Sequence, residues 1–164
     1  MKPAGALLAA VLLAGCSASR IEDGVFYSPQ GYQLSLPGHG WAVLSGGAAE
    51  LELQRKNPDG GMLADATCDG RTVGRPLDVL TRHLTFGLGH RETVESVRNE
   101  VGGRQVERTV VRGTVDGADV AVEAVVLKDE RCVYDFVYVA PTDAFEAGRG
   151  DFEAFVGSFT GATR

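Results

Sequence analysis

Beyond residue 24 the chain runs mostly in short stretches that alternate apolar and polar side chains, the period of a half-buried strand. Val25-Phe26-Tyr27 and Tyr32-Gln33-Leu34-Ser35-Leu36 flank the turn residues Ser28-Pro29-Gln30-Gly31 and predict a hairpin. Tyr32, Leu34 and Leu36 share one face, and Pro37-Gly38-His39-Gly40 leads to the single tryptophan, Trp41, expected to plug the edge of the core. Leu51 and Leu53 then alternate with Glu50, Glu52 and Gln54. Asn57-Pro58-Asp59-Gly60-Gly61 breaks the run, and Met62 to Cys68 resumes it as a second hairpin. At Pro76 the spacing changes. Leu77, Leu80, Leu84 and Leu88 recur at three and four residues, predicting a helix that Gly87 and Gly89 end. Four further runs follow, Thr93 to Val101, Gln105 to Val115, Val120 to Leu127 and Cys132 to Val139. The links between them are so short that they imply an antiparallel meander.

The last of these runs is apolar on both faces, with Cys132, Tyr134, Phe136 and Tyr138 on one and Val133, Val137 and Val139 on the other. A strand of this kind needs a layer above and a layer below. The Pro76 to Leu88 helix supplies one. The other is expected from a C-terminal helix bearing Phe145, Phe152, Phe155, Val156 and Phe159, with Thr142 and Asp151 as candidate N-caps. The expected class is α+β, an α/β/α sandwich around a mainly antiparallel sheet.

Composition agrees with one folded body: 44% of the 164 residues are hydrophobic and 23% charged, the make-up of a globular chain rather than a disordered one. Sixteen basic residues against 22 acidic ones give a net charge of −6, which offers no basic footprint for phosphates and argues against nucleic acid as a partner.

The first residues carry an address. Met1-Lys2 precedes a short apolar stretch, Ala4 to Leu13, too short to span a bilayer permanently. Leu13-Ala14-Gly15-Cys16 resembles the lipobox of bacterial lipoproteins. That resemblance implies removal of residues 1–15, a diacylglyceryl group on Cys16 and further acylation by palmitate or a similar chain. A short tether over 16–24 is then expected to lead into a single globular domain over 25–164, the length suiting one domain. Two or three acyl chains hold a protein firmly to a membrane. Ser17 after the cysteine implies export to the outer membrane, facing the periplasm, where the organism has two membranes. An ordinary secretory peptide with a chance cysteine is the plainer alternative.

Setting Cys16 aside leaves Cys68 and Cys132, in a compartment beyond the reducing cytosol. A structural disulfide between them is expected. Two buried free thiols are the competing reading, and a redox pair has no C-x-x-C motif behind it.

The ordered set of Gly31-Tyr32-x-Leu34-x-Leu36-Pro37 with Trp41, a mid-chain helix, a four-strand meander, Tyr138-Val139-Ala140-Pro141 and a closing helix ending Ser158-Phe159 resembles the Mog1/PsbP-like fold over about Val25 to Thr160. The resemblance implies a small binding or assembly module, the group including a photosystem extrinsic subunit and a Ran-binding protein. It places no functional residue on this chain.

Candidate chemistry is sparse. His39, His83 and His90 lack the paired spacing of a zinc enzyme, and Ser45 in Leu44-Ser45-Gly46-Gly47 sits in no nucleophile elbow. No glycine-rich loop opens a helix after a strand, so no cofactor is expected. Asp135 is the one carboxylate inside the most apolar strand. Burial would raise its proton affinity, as in a ligand-facing acid, whereas exposure or an Arg partner would make it ordinary. Arg108 and Arg112 lie four apart on one strand face, either a solvated face or a partner surface. The expectation is a lipid-anchored, non-enzymatic envelope module that binds a protein partner. The alternative is a small-ligand or metal carrier, or a hydrolase with a site assembled from distant residues.

Overall fold

The computed structural model describes residues 18–101 and 104–161. The lipobox with Cys16, and Gly102 and Gly103, lie outside the described residues. Three short strands, β1 (Arg20–Glu22), β2 (Val25–Tyr27) and β3 (Gln33–Ser35), form a small antiparallel sheet. The expected first hairpin is β2–β3, and β1 falls within the stretch read as the tether. A seven-stranded antiparallel sheet carries the rest: β4 (Ala42–Val43), β5 (Leu51–Lys56), β6 (Asp59–Thr67), β7 (Gly89–Val101), β8 (Arg104–Val115), β9 (Ala118–Lys128) and β10 (Val133–Pro141), in spatial order 4-5-6-10-9-8-7. The expected meander is its β7–β10 half. The described residues also form three helices: α1 (Gly70–Val73), α2 (Leu77–Leu84) and α3 (Glu146–Gly157).

The inner face of the large sheet holds the main core. Tyr134, Phe136, Tyr138 and Ala140 of β10, Leu51 and Leu53 of β5, and Val125 and Leu127 of β9 pack under Phe152 and Phe155 of α3 and under Phe26 and Leu34 of the small sheet. Each fully buried large apolar side chain contributes about 1.5–3 kcal/mol, so this face supplies most of the driving force. Gln33 and Thr160 exchange backbone hydrogen bonds of 2.9 and 3.0 Å, tying the C-terminal segment to β3. Trp41 packs at the edge of this core as expected, its Nε1 donating to Asp151 at 2.9 Å and its ring lying beneath Arg55.

Two expectations about helix ends are corrected. Neither Thr142 nor Asp151 caps α3, whose first turn follows Phe145 with no side-chain cap. Asp151 sits mid-helix, where it accepts from Trp41 and, at 3.1 Å, from the buried Arg55, so its acidity serves tertiary pairing. Position 148 accepts only glycine. A Cβ there would lie 2.7 Å from Arg55 Nη2 and closer still to the Tyr138 hydroxyl, which donates to the Phe145 carbonyl. Helix α2 ends at Leu84, a turn before Leu88, because Thr85 leaves the helical region at φ −110°, ψ 11°.

The outer face is covered unevenly. Leu77, Leu80 and Leu84 of α2 pack on Val126 of β9 and Val133 of β10. No helix among the described residues packs on the outer face of β4, β5 and β6 or on the remainder of β10. The three-layer sandwich is therefore complete over only half of the sheet.

Candidate interaction surface

The uncovered half reads directly off the strand register. On the outer face of the β6–β10 ladder the cross-strand pairs run Thr67–Val133, Asp65–Asp135, Leu63–Val137 and Gly61–Val139. Val133 lies under α2, and every later pair lies beyond it. Leu63, Val137 and Val139 are half-buried, and Leu44 beside β4 is 43% exposed. Together with Glu52, Gln54 and Gly61 they line an open trough of about 530 Å³. Gly61 deepens it, since a side chain there would stand against Val139.

Carboxylates edge this apolar floor. Glu52 and Asp59 line the trough itself, and the Asp65–Asp135 pair closes the end nearest α2. Asp65 Oδ1 accepts the Glu50 backbone N–H at 3.2 Å. Asp135 Oδ1 is buried with no hydrogen-bond donor among the described residues. Desolvation, and secondarily the Asp65 charge opposite, push the Asp135 carboxyl up to about 7. Asp135 is half-buried, and among the described residues no arginine pairs with it.

The other sequence candidates separate. Cys68 and Cys132 form the expected disulfide, clipping the end of β6 to the start of β10. Arg108 and Arg112 do not act together. Arg108 pairs with the fully buried Glu123 under α3 and lies 3.8 Å from Glu153, whereas Arg112 is exposed with no ion pair among the described residues. Glu123 also receives Arg149 Nε at 3.1 Å, and Arg149 Nη2 reaches Glu95 at 3.0 Å. Burial raises the Glu123 pKa against the opposing pull of both guanidiniums. This network bolts α3 to β7, β8 and β9. Ser45, His39, His83 and His90 are all exposed. Among the described residues no group of three or more His, Cys, Asp or Glu side chains could hold a metal, and no helix is long and apolar enough to cross a membrane.

No family model and no curated protein sequence matches the chain. Solved structures do. Cyanobacterial PsbP (CyanoP) from Synechocystis sp. PCC 6803 superposes with a TM-score of 0.61 at 14% identity, covering 94% of this chain and 98% of that one. LpqN of Mycobacterium tuberculosis, described as involved in cell envelope biogenesis, superposes with a TM-score of 0.58 at 14% identity over 83% of this chain and 87% of its own. A protein of unknown function from Pseudomonas aeruginosa, described as a putative regulator, reaches a TM-score of 0.56 at 8% identity over 78% and 85%. At these identities the likeness establishes the fold: an α+β, PsbP-like domain.

Proposed function

We propose that the protein is a lipid-anchored, non-catalytic module of the cell envelope that binds a protein partner through the bare outer face of β5, β6 and β10. The observation that carries this reading is the trough. A central strand that is apolar on both faces has one face sealed by α3 and the small sheet, but only a corner of the other sealed by α2. Leu44, Leu63, Val137 and Val139 form a strip that gains stability when something apolar covers it. Its rim of Glu52, Asp59 and Asp65, on a chain of net charge −6, favours a partner segment in which apolar side chains alternate with Lys or Arg. The lipobox at Cys16 would hold this surface at a membrane, in two-membraned organisms the outer one. The PsbP-like fold and the envelope role stated for LpqN are compatible with such a module.

Two outcomes follow. Cys16→Ser leaves the protein unprocessed or soluble on fractionation, with no palmitate incorporated, and undiminished membrane retention would refute the anchor. Val139→Lys places a cation in the strip and lowers binding of the partner that co-purifies with the wild-type chain by at least about tenfold, roughly 1.4 kcal/mol, while cooperative unfolding persists. Unchanged affinity would exclude this face.

A further inference from the structure

Helix α2 has a second side that the sheet-sealing role leaves unused. Its leucines face β9 and β10, while Asp78, Thr81, Arg82 and Thr85, spaced three and four apart, roof a cleft of about 250 Å³ over β7 and β8. A helix lying on a sheet normally fills that space with apolar side chains. Here the floor is largely polar as well, with Ser96, Thr109 and Glu107 beneath the helix beside the buried Val111. Thr81 is 3% exposed, Thr85 4%, Glu107 5% and Thr109 7%, so each offers the cleft only a small part of its surface. Burying an unpaired polar group is costly, and each of these four has a hydrogen-bond partner.

The hydrogen bonds already made set what the cleft can still offer. Thr81 Oγ1 donates to the Leu77 carbonyl at 2.9 Å and Thr85 Oγ1 to the Arg82 carbonyl at 3.4 Å, so both hydroxyls of these cleft-lining residues keep acceptor lone pairs free. Ser96 Oγ and Thr109 Oγ1 lie 3.4 Å apart, one hydroxyl donating to the other. The Glu107 carboxylate adds acceptors, its charge met by Arg98 Nε at 3.0 Å. At the rim Arg82 is paired with Asp78 at 2.7 Å. Arg91 donates to the Thr85 carbonyl at 3.3 Å and has no carboxylate partner among the described residues. The cleft is therefore rich in acceptors within and keeps one uncompensated guanidinium at its mouth.

We infer that this cleft is a binding site for a small polyhydroxylated carboxylate, of the sugar-acid class. Hydroxyl donors of the ligand meet the Thr81, Thr85, Thr109 and Glu107 oxygens, and its carboxylate meets Arg91 in a charge-assisted pair. The volume, just under the range of about 300–1,000 Å³ for drug-sized ligands, confines the occupant to a single small molecule. The site lies on the opposite side of α2's leucine stripe from the trough and does not depend on it.

D-glucuronate, D-glucose and acetate, titrated into the full chain, test the assignment by calorimetry and by amide chemical shifts. D-glucuronate is expected to bind at least tenfold more tightly than either D-glucose or acetate and to shift the amides of Thr81, Thr85 and Thr109. Arg91→Gln should bring D-glucuronate down to the level of D-glucose, and Thr109→Val should weaken both sugars. The wild-type shifts give a reading that does not depend on any variant folding. Absence of those shifts with D-glucuronate, shifts confined to another part of the molecule, or equal affinity for D-glucose and D-glucuronate would overturn the assignment.

Discussion

Replacing Cys68 and Cys132 together with serine lowers the free energy of unfolding by about 4 kcal/mol. The two cysteines are 64 residues apart, and the bridge removes from the unfolded chain the freedom of a loop of that length. The loop contains β7, β8 and β9, so without the bridge the β6–β10 ladder at the centre of the sheet must close by contacts across a long span of chain. Cys132 is also 1% exposed, and a serine there adds the cost of burying a hydroxyl. Reducing the wild-type bridge separates these contributions, since it removes the crosslink and leaves the sulfur atoms. Urea unfolding of oxidised and reduced wild type is expected to differ by most of the 4 kcal/mol, and a difference below about 1 kcal/mol would show that the chain-entropy account fails here.

The second large effect concerns pH. Asp135 is desolvated, faces Asp65 across the ladder and meets no cation among the described residues, so its folded-state pKa rises from 3.8 to about 7. The folded state then holds a proton that the unfolded state has already released. The stability this confers is fully present below the unfolded value near 3.8 and is lost as pH rises through about 7. Each tenfold difference in proton affinity corresponds to 1.36 kcal/mol, and the partial exposure of Asp135 brings the expected loss to about 2–3 kcal/mol between pH 4 and pH 8. Asp135→Asn abolishes this slope, leaving the variant more stable than wild type at pH 8 and no more stable at pH 4. Parallel slopes for the two proteins in urea titrations across that range would mean that Asp135 is not the group responsible.

The strands and the inner core were legible because period-two alternation survives in nearly every one of them, and β10 announced its central place by being apolar on both sides. The disulfide was legible by subtraction, once Cys16 was assigned to the lipobox. Helix caps were less so. Asp69, which accepts the Arg71 and Thr72 N–H groups at the start of α1, lies beside Cys68 without an apolar period to mark a helix. Asp151 looks like a cap, yet its partners Arg55 and Trp41 come from distant parts of the chain. The trough was not legible at all: Val137 and Val139 read identically whether a helix of the same chain or another molecule covers them. The cleft under α2 left a trace, since Asp78, Thr81, Arg82 and Thr85 keep helical spacing, but a polar stripe on a surface helix ordinarily faces water. Only the sheet beneath, with Thr109 and Glu107 buried, distinguishes it.

The most direct test places a photoreactive side chain at single positions in the anchored protein in living cells. Irradiation is predicted to join Val139, in the bare strip of the sheet, to one defined protein, and to join Ala154, exposed on α3, to none. Adducts from Ala154 with none from Val139, or the same adducts from both, would contradict the assignment of that strip as the binding face.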